Sequence, residues 1–495
     1  MQILGGQIAT PTAVLLLLAL GLALAFEFVN GFHDTANAVA TVIYTHSLRP
    51  VTAVIWSGLW NLAGVLVSSG AVAFSITALL PVELVLNVGS AAGFAMVFSL
   101  LVSAILWNLG TWFFGLPASS SHTLVGSIMG VGLANSLLSS GYVFGEGVNW
   151  EKTRETGLSL LISPVVGFCC AALLLWAAKS LIKKEALFRP PEKDAPPPLL
   201  IRMLLILTCT GVSFAHGSND GQKGMGLIML ILVGILPGVY ALNMSTPQNA
   251  LASIVVSAGK VNGMLHSKGA LSENDAKDAE AHLSAYLKAD DATSDRTLGA
   301  LVAVNRKIIN RLDKKRSFTD LSAVDRQRLR SDFYLAAETI RKLEKQGTLK
   351  QWGTANTMTA YADQLNDVSR FIPGWVKLSV ALALGLGTMI GWKRIVVTVG
   401  EKIGKEHLTY AQGACAEFVA MTTIGAADGF GLPVSTTHVL SSGIAGTMAA
   451  NNSGLQMPTL RNIALAWLLT LPVCMFLGGA LFAFALNITI ALGMR

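Results

Sequence analysis

The sequence predicts an all-α integral membrane protein with about ten or more transmembrane segments, arranged as two inverted repeats with broken half-helices, plus a soluble helical insertion. The chain has 495 residues, of which 52% are hydrophobic and only 13% are charged. Soluble domains carry about 25% charged residues. The mean hydropathy is +0.56, and apolar stretches of about 20 residues, the length of a membrane-spanning helix, recur along the chain.

Five apolar segments precede a basic, proline-rich stretch. They cover roughly residues 12–30, 51–80, 92–114, 123–138 and 157–178. We assign residues 1–178 to an N-terminal transmembrane repeat and residues 179–198 to a linker, because the proline run that ends at Pro198 stops any helix. The basic residues of this linker predict a cytoplasmic location by the positive-inside rule. No Lys or Arg precedes Arg49, so we expect the N-terminus outside the cytoplasm.

Six further apolar segments follow the linker. They cover roughly residues 199–216, 222–242, 374–392, 411–430, 434–450 and 462–492. We assign residues 199–242 to the start of a second transmembrane repeat and residues 371–495 to its remainder. Two crossings between 199 and 242 would return the chain to the side of the linker, so the residues that follow are expected to be cytoplasmic.

Residues 243–370 differ in composition from both repeats. Dense, mixed charge with helical spacing, as at Arg326, Arg330 and Arg341, predicts a soluble helical insertion. A basic cluster at 314–316 would suit anionic lipid or nucleic acid, but a solvated helix face accounts for it more simply. We therefore expect no nucleic-acid partner.

Two motif pairs recur in the same order in the two halves. The first pair is Asn30–Asn37 (NGFHDTAN) and His216–Lys223 (HGSNDGQK), and the second is Gly115–His122 (GLPASSSH) and Gly431–His438 (GLPVSTTH). A duplicated membrane unit with polar, glycine- or proline-interrupted segments at matching positions is typical of secondary transporters. A purely scaffolding membrane protein would not need such matched polar segments.

The second motif pair predicts two helix starts that bind an anion. Ser and Thr side chains cap free backbone N–H groups, and a helix start offers a partial positive charge, N–H donors and hydroxyls to a tetrahedral oxyanion. The candidate residues are Ser119, Ser120, Ser121, Ser435, Thr436 and Thr437. Ordinary capped helix starts in loops are the alternative, although two matched copies favour a site. His122 and His438 would donate to the anion, titrate near neutral pH, or satisfy a backbone carbonyl.

The first motif pair places acids between apolar segments. Asp34 and Asp220 lie in glycine-broken stretches, where a carboxylate needs a cation, a proton or a water-lined cavity, unless it is simply wetted at the membrane surface. Lys223 stands where the first copy has Asn37, and its ammonium beside Asp220 predicts either a proton-exchanging pair or a structural ion pair. Glu417, alone in an apolar stretch, is a further coupling candidate or caps a neighbouring helix.

Other function classes find little support. The five cysteines lie in apolar runs and show no zinc or haem spacing, so no metal or other cofactor is expected. No His-Glu-x-x-His or Gly-x-Ser-x-Gly element is present, so an intramembrane enzyme is not expected.

These motifs resemble those of the inorganic phosphate transporter (PiT) family, whose duplicated signature runs approximately Gly-Ala-Asn-Asp-Val-Ala-Asn-Ala and whose second element runs Leu-Pro-x-Ser-x-Thr-His. The similarity spans both membrane halves and is greatest to bacterial low-affinity Pit-type permeases. It implies an inner-membrane symporter that imports phosphate through the six hydroxyl residues above. It also implies cation or substrate positions at Asp34, Asn37 and Asp220 and a matching glutamate at Glu417; Asn219 is a further candidate.

The sequence departs from sodium-coupled members of that family at Lys223, where they carry Asn, and this favours protons as the coupling ion. Bacterial Pit-type members also accept neutral metal–phosphate complexes, so a divalent-metal phosphate stays open as the cargo. Sulfate is a second alternative, because a helix-end site suits any tetrahedral oxyanion. Membrane lipid is an expected partner, and a homo-oligomer is left open.

Overall fold

The structure, a computed structural model, describes residues 2–79, 90–138, 145, 148–191, 196–267, 278–288 and 293–491, without the side chains of residues 35–37 and 91. Within these ranges the chain is almost entirely helical. A short antiparallel hairpin precedes the first helix and consists of β1 (Gln2–Ile3) and β2 (Gly6–Gln7).

The helices of the first half of the chain are α1 (Thr10–Tyr44), α2 (Pro50–Val67), α3 (Ala71–Thr77), α4 (Ala91–Phe113), α5 (Ser120–Leu138) and α6 (Trp150–Leu181). A 3-10 turn at Glu185–Leu187 follows. The second half opens with α7 (Leu199–Ile235), the short α8 (Pro237–Tyr240), α9 (Gln248–His266), α10 (Ala279–Lys288), α11 (Asp295–Leu312) and, after a 3-10 turn at Phe318–Asp320, α12 (Ala323–Lys345). It continues with α13 (Thr348–Trp352), α14 (Ala355–Ser369), α15 (Gly374–Met389), α16 (Lys393–Glu401), α17 (Tyr410–Gly429), α18 (Thr436–Asn451) and α19 (Met457–Ala491).

Six helices of the described chain are long and apolar enough to cross a membrane: α1, α2, α4, α6, α7 and α19. Others, such as α5 and α18, are shorter or less apolar, because they carry the Ser, Thr and His residues of the second motif pair. The structure thus contains several apolar spans, and the number of about ten or more stays a prediction.

The chain forms two compact units. A large unit comprises Leu17–Pro81, Ser90–Ile228 and Ile372–Arg495, and a small unit comprises Met1–Leu16, Val82–Gly89 and Met229–Phe371, as far as these ranges are described. The small unit has its own apolar core, in which α11 packs against α9, α10 and α12 and α12 packs against α14. Asn262, Asn305 and Tyr361 form a hydrogen-bonded chain through that core, with distances of 2.9 and 3.0 Å.

Helix packing in the large unit is reciprocal between the two halves. Helix α5 packs against α19, and α18 packs against α6; likewise α4 packs against α19, and α17 packs against α6. The turns before α5 and α18 match as well. Gly115 and Gly431 end α4 and α17 with φ of +67° and +65°, and the following Leu116 and Leu432 each donate an N–H to a carbonyl five residues back, at 2.9 Å. An extended stretch of four residues then leads into each shorter helix.

The first motif pair corrects the sequence prediction. The stretches 30–37 and 216–223 are not broken by their glycines but lie inside the continuous helices α1 and α7. The glycines instead permit close approach of neighbouring backbones, since a Cβ at Gly31 would lie 2.3 Å from the Leu384 oxygen and one at Gly217 2.1 Å from the Asn61 oxygen. Because α7 runs without a break from Leu199 to Ile235, one helix covers most of the two crossings predicted within 199–242.

Candidate functional site

The two half-helix starts converge in the large unit. As predicted from the sequence, serines cap both of them: Ser119 Oγ accepts the N–H of His122 at 3.2 Å, and Ser435 Oγ accepts the N–H of His438 at 3.1 Å. Ser121 Oγ donates to the carbonyl of Val434 at 2.7 Å and so joins one start to the other. The imidazole rings of His122 and His438 lie 4.6 Å apart.

Matching contacts hold the extended stretches that precede the starts. Trp467 of α19 donates from Nε1 to the Pro117 carbonyl at 2.8 Å, and Ser159 of α6 donates from Oγ to the Pro433 carbonyl at 3.2 Å. Neither proline has an N–H to donate, so its carbonyl is the group through which a neighbouring helix can fix it. A helix start in general offers the N–H groups of its first turn to an anion.

Two buried aspartates lie at these helix starts. Ser120 Oγ is 3.1 Å from Asp34 Oδ2 and 3.3 Å from Asp220 Oδ2, and Thr437 donates to Asp34 Oδ1. The hydroxyl of Ser120 carries one hydrogen and can donate to only one of the two carboxylates at a time. Both aspartates are almost fully buried, with 2% and 0% exposure. The structure therefore brings acids from the first motif pair onto hydroxyls from the second.

Cationic and titratable groups surround these acids. Lys223 is fully buried, and its Nζ is 2.7 Å from Asp220 Oδ2. His216 Nε2 lies 3.5 Å from Asp220 Oδ2 and 3.8 Å from Asp34 Oδ2, and His33 Nδ1 lies 3.5 Å from Asp34 Oδ1. With neutral imidazoles, the two aspartates bring two negative charges and Lys223 one positive charge, and the buried Glu27 also interacts electrostatically with Lys223 and Asp220.

The geometry would also admit a small metal ion. One ligand atom each of Asp34, His216 and Asp220 lies within 4.8 Å of the others, and carboxylate and imidazole are ordinary ligands for divalent metals. Lys223 competes with such an ion, because its ammonium already sits at hydrogen-bonding distance from Asp220.

The other predicted residues take different positions. Thr436 Oγ1 is buried and has no hydrogen-bond partner among the described residues, as is true of Nδ1 of His122 and Nε2 of His438. Asn219 donates from Nδ2 to the Leu432 carbonyl at 3.1 Å, and its Oδ1 is likewise unpartnered in the described chain. The side chain of Asn37 lies outside the described residues.

Glu417 forms a separate buried site in the same unit. Its carboxylate accepts hydrogen bonds from Thr41 of α1 and from Thr208 of α7, the latter at 2.5 Å. Thr41 follows Asp34 by about 10 Å along the axis of α1. The described contacts do not join Glu417 to the aspartate cluster, although α1 and α7 carry residues of both.

Three polar residues of the site, His33, His216 and Asp428, carry no assignment from the sequence, whereas the position of Glu27 shortly before the first motif predicts that it lines the same cavity. His33 and His216 flank the aspartates, and His216 is oriented by a 2.9 Å hydrogen bond between its Nδ1 and Asn61 Oδ1. Glu27 is fully buried against Gly224, where a Cβ would lie 2.6 Å from its Oε1. Asp428 accepts bonds of 2.6 Å from Ser218 and Gln222. The sequence does contain a sign of Asp428, because this acid stands three residues before Gly431, at the position where the first copy of the motif has Trp112.

Comparison with known proteins gives a consistent result. Residues 30–478 match the phosphate transporter family. The chain is 41% identical over 493 residues to the low-affinity inorganic phosphate transporter PitB of Escherichia coli K12, covering 96% of this chain and 98% of that one. It is 27% identical over 475 residues to a probable low-affinity inorganic phosphate transporter of Bacillus subtilis 168, covering 96% and 98%.

A solved structure described as the sodium-dependent phosphate transporter shares the fold. It superposes with a TM-score of 0.52 over 95% of this chain and 98% of its own, at 21% identity. The residues that match the family, 30–478, include both motif pairs, and the alignment with the Escherichia coli relative covers 98% of that protein. This chain belongs to the phosphate transporter family.

Proposed function

We propose that this protein imports inorganic phosphate across the bacterial inner membrane by symport with protons. Phosphate would bind between the two half-helix starts, at Ser119–Ser121 and Ser435–Thr437. The observation that carries the proposal is the convergence of both starts on the paired carboxylates, the first through Ser120 and the second through Thr437. The buried hydroxyl of Thr436, which has no hydrogen-bond partner in the part of the chain that the structure describes, adds a donor.

Competition between carboxylate and phosphate supplies the coupling. In this structure the hydroxyls of Ser120 and Thr437 donate to the carboxylates of Asp34 and Asp220. A phosphate anion would need the same donors and would be repelled by both carboxylates at such short range. Neutralising one carboxylate removes the repulsion and releases a donor. Phosphate and a positive charge therefore bind together more readily than either does alone.

Lys223 favours the proton as that charge. Its ammonium already lies beside Asp220, the place that a sodium ion would otherwise occupy, and a fixed positive group repels sodium. A proton needs no coordination shell and can be held by Asp34, Asp220 or His216. The related structure named above is described as sodium-dependent, and that dependence need not extend to a chain with this lysine.

Proteoliposomes test the coupling directly. We expect an inward proton gradient without sodium to drive phosphate accumulation, and a sodium gradient at matched pH to drive none. Lys223→Asn should lower proton-driven accumulation by about tenfold or more, because it leaves Asp220 buried without its ion-pair partner. Lys405→Asn, at an exposed lysine, is the control. Accumulation by the native protein on a sodium gradient alone would contradict the mechanism.

A metal–phosphate complex is the second candidate cargo. The mutual proximity of Asp34, His216 and Asp220 favours it, because these side chains would contact the metal of a complex whose phosphate lies at the helix starts. Transport would then carry magnesium and phosphate in equal amounts and would stop when divalent ions are chelated. Undiminished phosphate uptake in excess chelator would exclude it, and competition by sulfate would test selectivity among oxyanions.

We further propose that the large unit consists of two inverted repeats. Reciprocal packing of α5 with α19 and of α18 with α6 supports this, together with the matched glycine turns. The topology also changes. Since α7 is one helix, it crosses once, and a cytoplasmic linker at 179–198 puts residues 243–370 outside the cytoplasm. This location differs from the cytoplasmic one that two crossings would give.

Cysteine labelling in intact cells tests this topology. Arg328→Cys, at an exposed position of α12, should react with an impermeant maleimide. Lys183→Cys, exposed in the linker, should react only after the cells are permeabilised. The reverse pattern would contradict the proposed orientation.

A further inference from the structure

A cationic and aromatic cavity lies at the C-terminal end of α4. It has a volume of about 610 Å³, and its lining includes Trp112, Phe114, Trp392, Lys393, Arg394 and Lys402. Three of these are basic, and no acid lines the cavity within the described chain. Arg394 is held in place by a 2.6 Å bond from Nη1 to the Phe113 carbonyl, with its guanidinium 5.1 Å from the Trp112 ring.

The two lysines of this cavity are unpaired. Among the described residues neither the Lys393 nor the Lys402 side chain has an ion pair or hydrogen bond, and both residues are exposed. The acid next to Lys402, Glu401, interacts with Tyr44 instead. The cavity therefore presents an uncompensated positive charge to any anion that reaches it.

An apolar groove adjoins this cavity and shares Phe114 with it. The groove has a volume of about 520 Å³ and lies between α4 and α19, with Trp107, Gly110, Leu465 and Leu469 in its walls. Both helices are apolar enough to span a membrane. Phe114 is 75% exposed and stands at the boundary between the polar and apolar compartments, as aromatic side chains do at a membrane–water interface.

We propose that the cavity and groove together bind one anionic phospholipid, with its headgroup phosphate at Lys393, Arg394 and Lys402 and an acyl chain along α4 and α19. Basic pockets between membrane helices bind anionic headgroups. Free phosphate would use the cavity alone and leave the adjoining apolar groove without a role. A lipid satisfies both compartments at once.

The bound lipid would act on transport through Trp112. The Trp112 ring packs 5.1 Å from Phe32, two residues before Asp34, and Trp112 Nε1 donates to the Gly391 carbonyl at 2.7 Å. A headgroup on Arg394 would restrain this tryptophan and, through Phe32, the part of α1 that carries Asp34. This consequence rests on the proposed function, whereas lipid binding itself does not.

Native mass spectrometry of the full-length protein tests the charged compartment. We expect phosphatidylglycerol to bind more tightly than phosphatidylcholine. Lys393→Gln combined with Lys402→Gln should weaken phosphatidylglycerol binding by about fivefold for each charge removed. Lys405→Gln, an exposed lysine outside the cavity, should bind like the native protein. Equal binding of the two lipids, or no loss in the double variant, would overturn the proposal.

A steric variant tests the apolar compartment. A Cβ at Gly110 would meet no atom within 4 Å, so Gly110→Leu can fill the groove without disturbing the helix. Gly157→Leu on α6 has the same free space and serves as control. We expect only Gly110→Leu to lose the lipid, and millimolar inorganic phosphate to leave native lipid binding unchanged. Native lipid binding by Gly110→Leu would overturn the assignment of the groove to an acyl chain, and displacement of the lipid by phosphate would show that the cavity takes a free anion.

Phosphate uptake by the same variants separates this proposal from the proposed function. Changed lipid binding with altered uptake supports the link through Trp112. Unchanged lipid binding with normal uptake overturns the lipid site and leaves the transport mechanism intact. Absence of uptake in the native protein overturns the transport mechanism and leaves the binding result standing.

Discussion

The substitution Gly217→Ala tests whether the close approach of α7 to α2 positions the aspartate cluster. The added Cβ would lie 2.1 Å from the backbone oxygen of Asn61 and 2.7 Å from its Cα, whereas ordinary contact begins at 3.4 Å. The two helices must therefore separate locally by about 1 Å, because backbone cannot rotate out of the way as a side chain can. Such overpacking costs about 1–3 kcal/mol of stability.

The same displacement would disturb the site. His216 is oriented by its 2.9 Å bond to Asn61 and thereby points toward Asp34 and Asp220. A misplacement of about 1 Å can lower a rate by about a hundredfold. We therefore expect Gly217→Ala to transport phosphate at a small fraction of the native rate and to unfold at a lower temperature.

Uptake into proteoliposomes and thermal unfolding of the purified protein measure the two effects. The control is Gly425→Ala on α17, whose added Cβ meets no atom within 4 Å and which should match the native protein in both assays. If Gly217→Ala retained native uptake and native thermal stability, the argument that this glycine exists for helix approach would be refuted.

Three further predictions concern single side chains. Ser120→Ala and Thr436→Ala should each raise the apparent KM for phosphate at equal expression by about tenfold, because each loses a hydrogen bond to an anion. An unchanged KM in both variants would refute the site assignment. Glu417→Gln should retain phosphate exchange at equilibrium yet lose gradient-driven accumulation, whereas loss of both would indicate a structural role. Asp332 is buried in the small unit, and burial raises its pKa to about 7 despite its contact with Arg311. The folded state therefore holds a proton that the unfolded state releases above about pH 4. Local stability should therefore fall as the pH rises from about 4 to about 7, and Asp332→Asn should abolish that dependence. Amide hydrogen exchange of α12, corrected for its intrinsic pH dependence, measures the local stability of both proteins. A pH dependence that persists in Asp332→Asn would contradict the assignment.

Local sequence rules were sufficient for the half-helix starts. Ser119 and Ser435 cap their helices because a serine three residues before an N–H can accept from it, and that rule needs no knowledge of the rest of the fold. The repetition of the Gly-Leu-Pro element likewise predicts two related helix starts from the sequence alone.

The continuity of α1 and α7 could not be predicted in this way. A glycine in a membrane segment can break a helix or admit a neighbouring backbone, and only the position of the partner decides between them. At Gly31 the partner is α15 and at Gly217 it is α2, both distant along the chain. The position of Lys223 on Asp220 follows from helical spacing, whereas the approach of Ser120 to both aspartates depends on tertiary packing.

The unequal residue pairs at matching positions of the duplicated motifs have a thermodynamic consequence. The rings of Phe32 and Trp112 pack edge to face with centroids 5.1 Å apart, while their counterparts Ser218 and Asp428 are joined by a 2.6 Å hydrogen bond. Parting the aromatic pair would hydrate apolar surface and raise the heat capacity, but parting the polar pair would exchange one hydrogen bond for others with water. The two pairs would thus respond differently to temperature. A curved Arrhenius plot for uptake would indicate that the aromatic side opens in the slow step.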